Sequence, residues 1–456
     1  MQRNDSVFFA LSAVSGALVA LTAFLGWFVE RSNFPALLGA YGMFFALYLY
    51  VLLHRHWTPR QRYCFIALGV GLRMILLFSL PNLSDDFYRF LWDGRLAAHG
   101  IHPFAHPPAY FIENRVAAPG ITPELFGKLN SPEYHTVYPP VCQAVFWLAA
   151  KIFPDSINGG VFILKLFLLG CELGTIWMLG RGVLPFRGGL PRTAGREGGV
   201  GVALAYALNP LILIEIVGNC HFEGAMLCSL LAGIYALLRG RLTMAATWWA
   251  LATASKLLPL LFLPVVLAWL GWRRGVKFAL SFTIVCGLLF LPLLDFQVLH
   301  NMAGSLNLYF RQFEFNASVY YILKMIGTTI APPKMDVART LGPLLAGVVV
   351  LGVAMLALYS RPGRAGQGGG YLLQERLLFA LTLYLALATT VHPWYIVPLF
   401  GISLLTRYLF PLVWTATVVL SYSHYAGGGY REHFGWIGLE YLIVFGAFHS
   451  FASPTK

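Results

Sequence analysis

The stretch CFIALGVGLRMILLFSL (Cys64–Leu80), followed at once by PNLSDDFYRFLWDGR (Pro81–Arg95), decides how this chain is built. The first part is an apolar run of roughly 17 residues, about the length that crosses a ~30 Å hydrocarbon layer as a helix. The second is dense in Pro, Asp, Tyr, Arg and Trp, so the chain leaves the apolar phase there and carries polar chemistry beside it. Comparable apolar runs recur at about 7–29, 36–53, 160–180, 199–217, 223–238, 243–255, 257–271, 276–294, 338–360, 372–390, 394–406, 408–424 and 435–451. Composition agrees: 58% of the residues are hydrophobic and 11% charged, against about 45–50% and 25% in soluble domains. A mean hydropathy of +0.68 exceeds what one soluble core can hide. The expected fold class is an all-α integral membrane protein of about 12–14 transmembrane helices, forming a single domain over 1–456.

A net charge of +13 invites a nucleic-acid partner, but the placement of the charge argues against one. Basic residues sit in short clusters between apolar runs: Arg55/Arg60/Arg62, Arg181/Arg187/Arg192/Arg196, Arg239/Arg241, Arg273/Arg274/Lys277 and Arg361/Arg364. Lys and Arg held in this way on one side mark the cytoplasmic face. The run Val7–Val29 is longer than a signal-peptide core and is expected to be retained as a first span. The six cysteines lie mostly in apolar runs without metal-ligand spacing and read as packing residues.

Threading the chain with every basic cluster inside puts Pro81–Val137 outside, and a loop of that length is usually functional. It also exposes a parity problem. If both apolar runs near 139–153 and 160–180 crossed, the Arg181–Arg196 cluster would face outward. The first run is short, opens Tyr138-Pro139-Pro140 and carries Gln143 and Lys151, so it is expected to lie along the interface. The chain then divides into spans at 7–80, an outer catalytic loop at 81–159, central spans at 160–294, an outer loop at 295–337 and C-terminal spans at 338–456. The segment 315–330 reads as interfacial or re-entrant.

In this threading the unusual polar residues gather on the outer face. Asp85 and Asp86 are costly at a span end unless solvated or paired. They form either a solvated loop start partnered by Arg89 and Arg95, or a general base for a hydroxyl. If the stretch is helical, Arg89 shares a face with Asp86 and holds its carboxylate. His221 and Glu223 sit beside Asn219 at an outer turn. Lys256, in Ser255-Lys256-Leu-Leu-Pro259, either snorkels to the interface or offers a point charge to a phosphate. His392-Pro393-Trp394-Tyr395 is either an aromatic belt or a donor group for a lipid phosphate. Lys165, Glu172 and Glu215 fall inside spans and read as polar contacts within the bundle.

The strings Asp86-Phe-Tyr88-Arg89-Phe-Leu-Trp92-Asp93-Gly94-Arg95, His99-Gly100-Ile101-His102-Pro103-Phe104 and Tyr138-Pro139-Pro140 resemble the first outer loop of GT-C fold glycosyltransferases. The likeness is greatest to polyprenol-phosphate-mannose-dependent mannosyltransferases, including bacterial relatives of the GPI mannosyltransferases. Ala207-Leu-Asn209-Pro210, Gly218-Asn219-Cys220-His221, Ser255-Lys256-Leu-Leu-Pro259 and His392-Pro393-Trp394-Tyr395 follow in order, so the likeness covers about 64–400. It implies a GT-C type bundle with juxtamembrane helices in the first large outer loop; a bacterial inner membrane is the expected location, with the endoplasmic reticulum as the alternative, and the site faces outward. It implies Asp86 as catalytic base, with Asp85 second. Arg89, Lys256, His392, Trp394, Tyr395, His221, Glu223 and Tyr138 would bind the donor phosphate or substrate. The implied partners are a polyprenyl-monophosphate sugar donor, a glycan or lipid-linked acceptor and membrane lipid, with no metal or other cofactor. The implied reaction is an inverting transfer, mannose first. Glucose, galactose, arabinose or aminoarabinose are the alternatives within the fold, and a lipid or solute transporter is the alternative outside it. Cys220 and Glu223 depart from the Gly and Asp that many relatives carry at the Gly-Asn-Gly-His stretch, and the spans at about 7–53 read as an addition.

Overall fold

A computed structural model describes residues 2–116, 118–184, 199–293, 298, 300–301, 304–305, 313–330, 332, 336–359 and 369–452. Arg187, Arg192, Arg196, Arg311, Arg361, Arg364 and much of the expected 295–337 loop lie outside the described residues. The described chain is helical, apart from one isolated parallel bridge between Phe315 and Thr390.

Among the described residues, five helical segments are long and apolar enough to cross a bilayer: Ala10–Trp27, Phe34–Leu53, Ile157–Gly180, Leu258–Leu293 and Val337–Leu358. The pair Gly199–Ala207 and Pro210–Gly218, bent by 53°, makes a sixth if it counts as one span. At 1.5 Å per residue, the 24-residue helix Ile157–Gly180 is about 36 Å long, more than the hydrocarbon thickness. The chain is a multi-pass membrane protein. Other expected crossings arrive in shorter pieces, including Glu223–Leu238, Leu242–Ser255, Ile396–Ser403 and Phe410–Thr417.

Those interruptions have local causes. At Asn209-Pro210 the proline lacks an N–H and starts a new helix, while Asn209 Oδ1 accepts from the Leu211 N–H at 3.0 Å. Within Leu258–Leu293, Gly271 has φ 71° and ψ 173°, a conformation open to glycine. A Cβ on Gly275 would lie 3.2 Å from the Leu267 carbonyl oxygen. An unbroken helix would hold residues so spaced about 12 Å apart, so the chain folds back at Gly271, next to Arg273 and Arg274. Beyond the bend, Leu280, Ile284 and Leu288 are exposed on one helical stripe, the arrangement of a lipid-facing surface.

The chain falls into two compact units. The first comprises Met1–Ser84, Lys165–Gly224 and Pro393–Lys456. Two of its buried charges are met by side chains and backbone carbonyls of the same unit. Fully buried Arg73 donates to Glu172 Oε2 from Nε at 3.1 Å and Nη2 at 2.8 Å, and Tyr206 donates to Oε1 at 2.6 Å. Lys165 Nζ donates to the carbonyls of Leu76 (2.8 Å) and Ser79 (2.7 Å) and to Ser79 Oγ (3.1 Å). Lys165 and Glu172 are thus bundle-internal contacts, as their place within an apolar run requires.

The second unit comprises Asp85–Leu164 and Ala225–His392. It holds the long polar stretch, which is itself helical: Asp86–Ala98, Pro108–Glu113, Pro123–Phe126 and Pro140–Ile152. Trp92, Leu96, Phe111 and Leu125 form a small core there. Pro140–Ile152 has 13 residues, or about 20 Å, too short to cross by itself. It buries Cys142, Gln143, Val145, Phe146, Ala149 and Ala150 and exposes Trp147, Leu148 and Ile152.

Candidate functional site

The helix Asp86–Ala98 starts immediately after the first long polar turn. Asp86 lies in its first turn and Arg95 in its last, each sign placed where the helix dipole favours it. Phe87, Phe90 and Leu91 are buried on one side, and Trp92 and Leu96 enter the small core. Gly94 lets this helix touch Pro140–Ile152, because a Cβ there would sit 2.2 Å from the Phe146 carbonyl oxygen. Phe90 stacks on Phe146 at 4.6 Å between ring centroids.

Asp86 is half-buried. Asn130 Nδ2 donates to its Oδ1 at 2.8 Å, and the Tyr138 hydroxyl lies 3.3 Å from its Oδ2. The Tyr138 ring also carries the Lys256 ammonium, 5.4 Å from its centroid, within cation–π range. Lys256 caps the helix Leu242–Ser255 in an extended conformation (φ −155°, ψ 139°), with its charge at the negative end of the helix dipole. A carboxylate, a phenol and an ammonium therefore form one cluster on one unit.

Arg89 turns to Asp93, four residues on, and not back to Asp86. Its Nε donates to Asp93 Oδ1 at 2.8 Å, and its Nη1 to the carbonyls of Tyr134 (2.9 Å) and Ser131 (3.4 Å). Fully buried Asp93 takes a second bond at Oδ2, from Gln143 Nε2 at 3.2 Å. Gln143 Nε2 also reaches Thr136 Oγ1 at 3.3 Å. Asp85 is half-buried at the N-cap and makes no side-chain cap bond. Burial, and then the Asp85 charge, raise the neighbouring Tyr88 hydroxyl above its ordinary range. The Lys128 ammonium lies 5.3 Å from the Tyr88 ring centroid. Burial lowers the pKa of His135 despite a Phe104 backbone contact, and Arg89 and His106 lower it further.

His392 is on a strap. The Val391 N–H donates to the Phe315 carbonyl at 2.8 Å, and the His392 ring lies 4.5 Å from that of Phe315. The strap reaches the Arg89 loop through Phe313. Phe313 packs on Tyr134 at 5.7 Å, and its carbonyl accepts from Thr390 Oγ1 at 3.0 Å.

The other unit holds the remaining candidates. The His221 ring stacks on Trp394 at 3.7 Å and 19°. Its Nδ1 lies 3.0 Å from the Glu215 carbonyl and 3.1 Å from Glu215 Oε2. Both of those are acceptors, so Nδ1 carries the proton. His221 Nε2 is buried without a hydrogen-bond partner. Tyr422 donates to Glu215 Oε1 at 2.7 Å. Tyr395 packs edge-on against Trp394, and Glu223, nearly fully buried, opens the helix Glu223–Leu238. Asn219 Oδ1 accepts from the N–H groups of Asn82 (3.2 Å) and Leu83 (3.0 Å), which fixes the turn entering the polar stretch. Cys220 has φ 64°, a left-handed conformation that suits glycine and costs other residues roughly 1–2 kcal/mol.

Asn130 and the bonding of Asp93 to Gln143 have no signal in the sequence. An isolated exposed Asn carries no motif, and its role depends on a fold-back of the chain onto Asp86. Among the described residues no group of three or more His, Cys, Asp and Glu side chains is placed to hold a metal ion.

Comparison with known proteins follows the same residues. Residues 6–272 match the family described as alpha-(1->6)-mannopyranosyltransferase, N-terminal domain. Alpha-(1->6)-mannopyranosyltransferase A of Mycobacterium tuberculosis is 27% identical over 236 residues, covering 50% of this chain and 42% of that protein. Alpha-(1->6)-mannopyranosyltransferase B of Corynebacterium glutamicum is 27% identical over 167 residues, covering 36% of this chain and 25% of that protein. The matches thus span less than half the length of these curated relatives. The match over 6–272 takes in the helix of Asp86, its Asn130–Tyr138 loop, Lys256 and the His221 turn, and the chain belongs to the alpha-(1->6)-mannopyranosyltransferase family.

Proposed function

We infer that this protein is an inverting glycosyltransferase of GT-C type. It moves a sugar, mannose first, from a polyprenyl-monophosphate donor to a glycan or lipid-linked acceptor at the outer membrane face. The observation that carries this reading is the Asp86–Tyr138–Lys256 cluster: a carboxylate at a helix start, with an ammonium near the ring of the phenol that contacts it. Membership in a family named for mannose transfer supports the choice of sugar.

In this reading Asp86 takes the proton from an acceptor hydroxyl. The freed oxygen attacks the anomeric carbon from the side opposite the phosphate. The carbon–oxygen bond to phosphate breaks, its electron pair stays on the phosphate, and configuration inverts. Lys256 meets the charge developing on the leaving monophosphate, so the step calls for no metal. General-base assistance of this kind supplies about 10²–10⁴ in rate.

The test is turnover by the purified chain in lipid nanodiscs, with a synthetic polyprenyl-monophosphate mannose and a short α-mannoside acceptor. The expected product carries a new α-linked mannose, formed from a β-linked donor. Product from a glucose, galactose or arabinose donor alone would move the sugar assignment. Consumption of no lipid-phosphate donor would overturn the reading.

A further inference from the structure

We propose that Asp93 is a positioning residue for the catalytic carboxylate, acting through Arg89 and Gln143; this rests on the reading of Asp86 as the base. The loop Asn130–Tyr138 holds Asp86 at both ends. Asn130 donates to Oδ1 from one end, and the Tyr138 hydroxyl meets Oδ2 from the other. Between those ends, two arms from Asp93 fix the loop. Arg89 spans from Asp93 Oδ1 to the Tyr134 and Ser131 carbonyls, and Gln143 spans from Asp93 Oδ2 to Thr136 Oγ1. Asp93 is fully buried and Arg89 nearly so. A carboxylate buried in this way persists where its charge is matched and both oxygens are bonded.

The device explains the spacing of Asp86, Arg89, Asp93 and Gly94 on one helix. Asp86 opens the helix, and the i,i+4 pair Arg89–Asp93 holds the loop one turn further on. Gly94 lets the helix that carries Gln143 approach closely enough for its amide to reach Asp93. Nε and Nη1 of Arg89 are thereby committed to the loop, a role apart from the donor-phosphate contact that the resemblance implies. A guanidinium is needed because it presents donors in a fixed fork, whereas a lysine offers one compact ammonium. Loosening the loop lets the Asp86 oxygens rotate, and a misplacement of about 1 Å costs on the order of 100-fold in rate.

The experiment uses the full chain in nanodiscs with synthetic polyprenyl-monophosphate mannose, comparing Arg89→Lys, Asp93→Asn and Gln143→Met with the parent. Arg89→Lys and Asp93→Asn should lower kcat by about 100-fold, with donor KM within about twofold. Gln143→Met, which removes one arm and keeps the ion pair, should fall between them and the parent. In a cysteine-depleted background carrying Val137→Cys, a half-buried position that leaves both arms in place, alkylation should speed up when Asp93→Asn is added. If Asp93→Asn does not fold, Arg89→Lys carries the test. Parental kcat with raised donor KM in Arg89→Lys would assign Arg89 to the phosphate and overturn the proposal. Parental kcat in all three, with Asp86→Asn inactive, would overturn the positioning role alone. An active Asp86→Asn would overturn the base assignment itself, whatever these variants do.

Discussion

Glu172 and Asp86 are carboxylates in two different settings. Glu172 lies fully buried in the first unit, gripped by two guanidinium nitrogens of Arg73 and by the Tyr206 hydroxyl. Asp86 lies half-exposed in the second, with Asn130 and Tyr138 among its partners and the phenol contact long at 3.3 Å. A buried charge within a bundle must be fully matched or the fold loses several kcal/mol. A charge that has to meet a substrate hydroxyl needs contacts that can yield. One carboxylate is fully buried, and the other is half-exposed at a helix start.

The strongest way to break that contrast is Glu172→Ala. It leaves the Arg73 guanidinium buried without its counter-charge and should cost about 3–5 kcal/mol, read as a large fall in thermal midpoint. A midpoint close to the parent's would make Glu172 as dispensable to the fold as a surface acid. Next is Gly94→Ala in the second unit. Its methyl group would meet the Phe146 carbonyl, and forcing the two helices apart should cost about 1–3 kcal/mol. Because Gln143 would lose its reach to Asp93, turnover should fall more than stability does. Parental turnover would show that the close crossing does not serve the loop.

The smallest expected effect is a pH dependence from His135. Burial holds its folded pKa below the ordinary value, so the folded loop favours the neutral ring. A base with a depressed folded pKa binds fewer protons folded than unfolded as pH falls below about 6.5. The loop is therefore at full stability above that pH and loses stability through the window beneath it. Arg89 and His106 act in the same direction, against the Phe104 backbone contact. Protection against hydrogen exchange across 130–138, corrected for the intrinsic pH dependence of amide exchange, should fall from pH 7 to pH 5 in the parent, and less so in His135→Gln. An equal fall in both would place the titrating group elsewhere.

Much of this was legible from residue type and spacing. The apolar runs gave the membrane class, because no soluble core absorbs them. The run 139–153 reads as short, and the structure has a 13-residue helix there. Lys165 and Glu172 had to be paired, since water is not available within an apolar run. The partner of Arg89 was not legible. Asp86 and Asp93 flank it at helical spacing, and the choice is made by the Ser131 and Tyr134 carbonyls at the other end of the guanidinium. Asn130 was hidden for the same reason: its role arises from tertiary fold-back. The division of His392 from Pro393-Trp394-Tyr395 also escaped the sequence. His392 packs on Phe315 in one unit, while Trp394 stacks on His221 in the other. A four-residue polar string does not reveal that its members serve different neighbours.

The central claim is that Asp86 is an accessible base and not a structural acid. The most direct measurement is turnover of polyprenyl-monophosphate mannose by Asp86→Asn, with thermal midpoint and donor binding recorded on the same preparation. The amide keeps the shape and cannot take a proton. Turnover should fall by about a hundredfold or more with midpoint and donor affinity near the parent's, and Asp85→Asn should lose less. Turnover close to the parent's in Asp86→Asn, in a folded protein that still binds donor, would contradict the account.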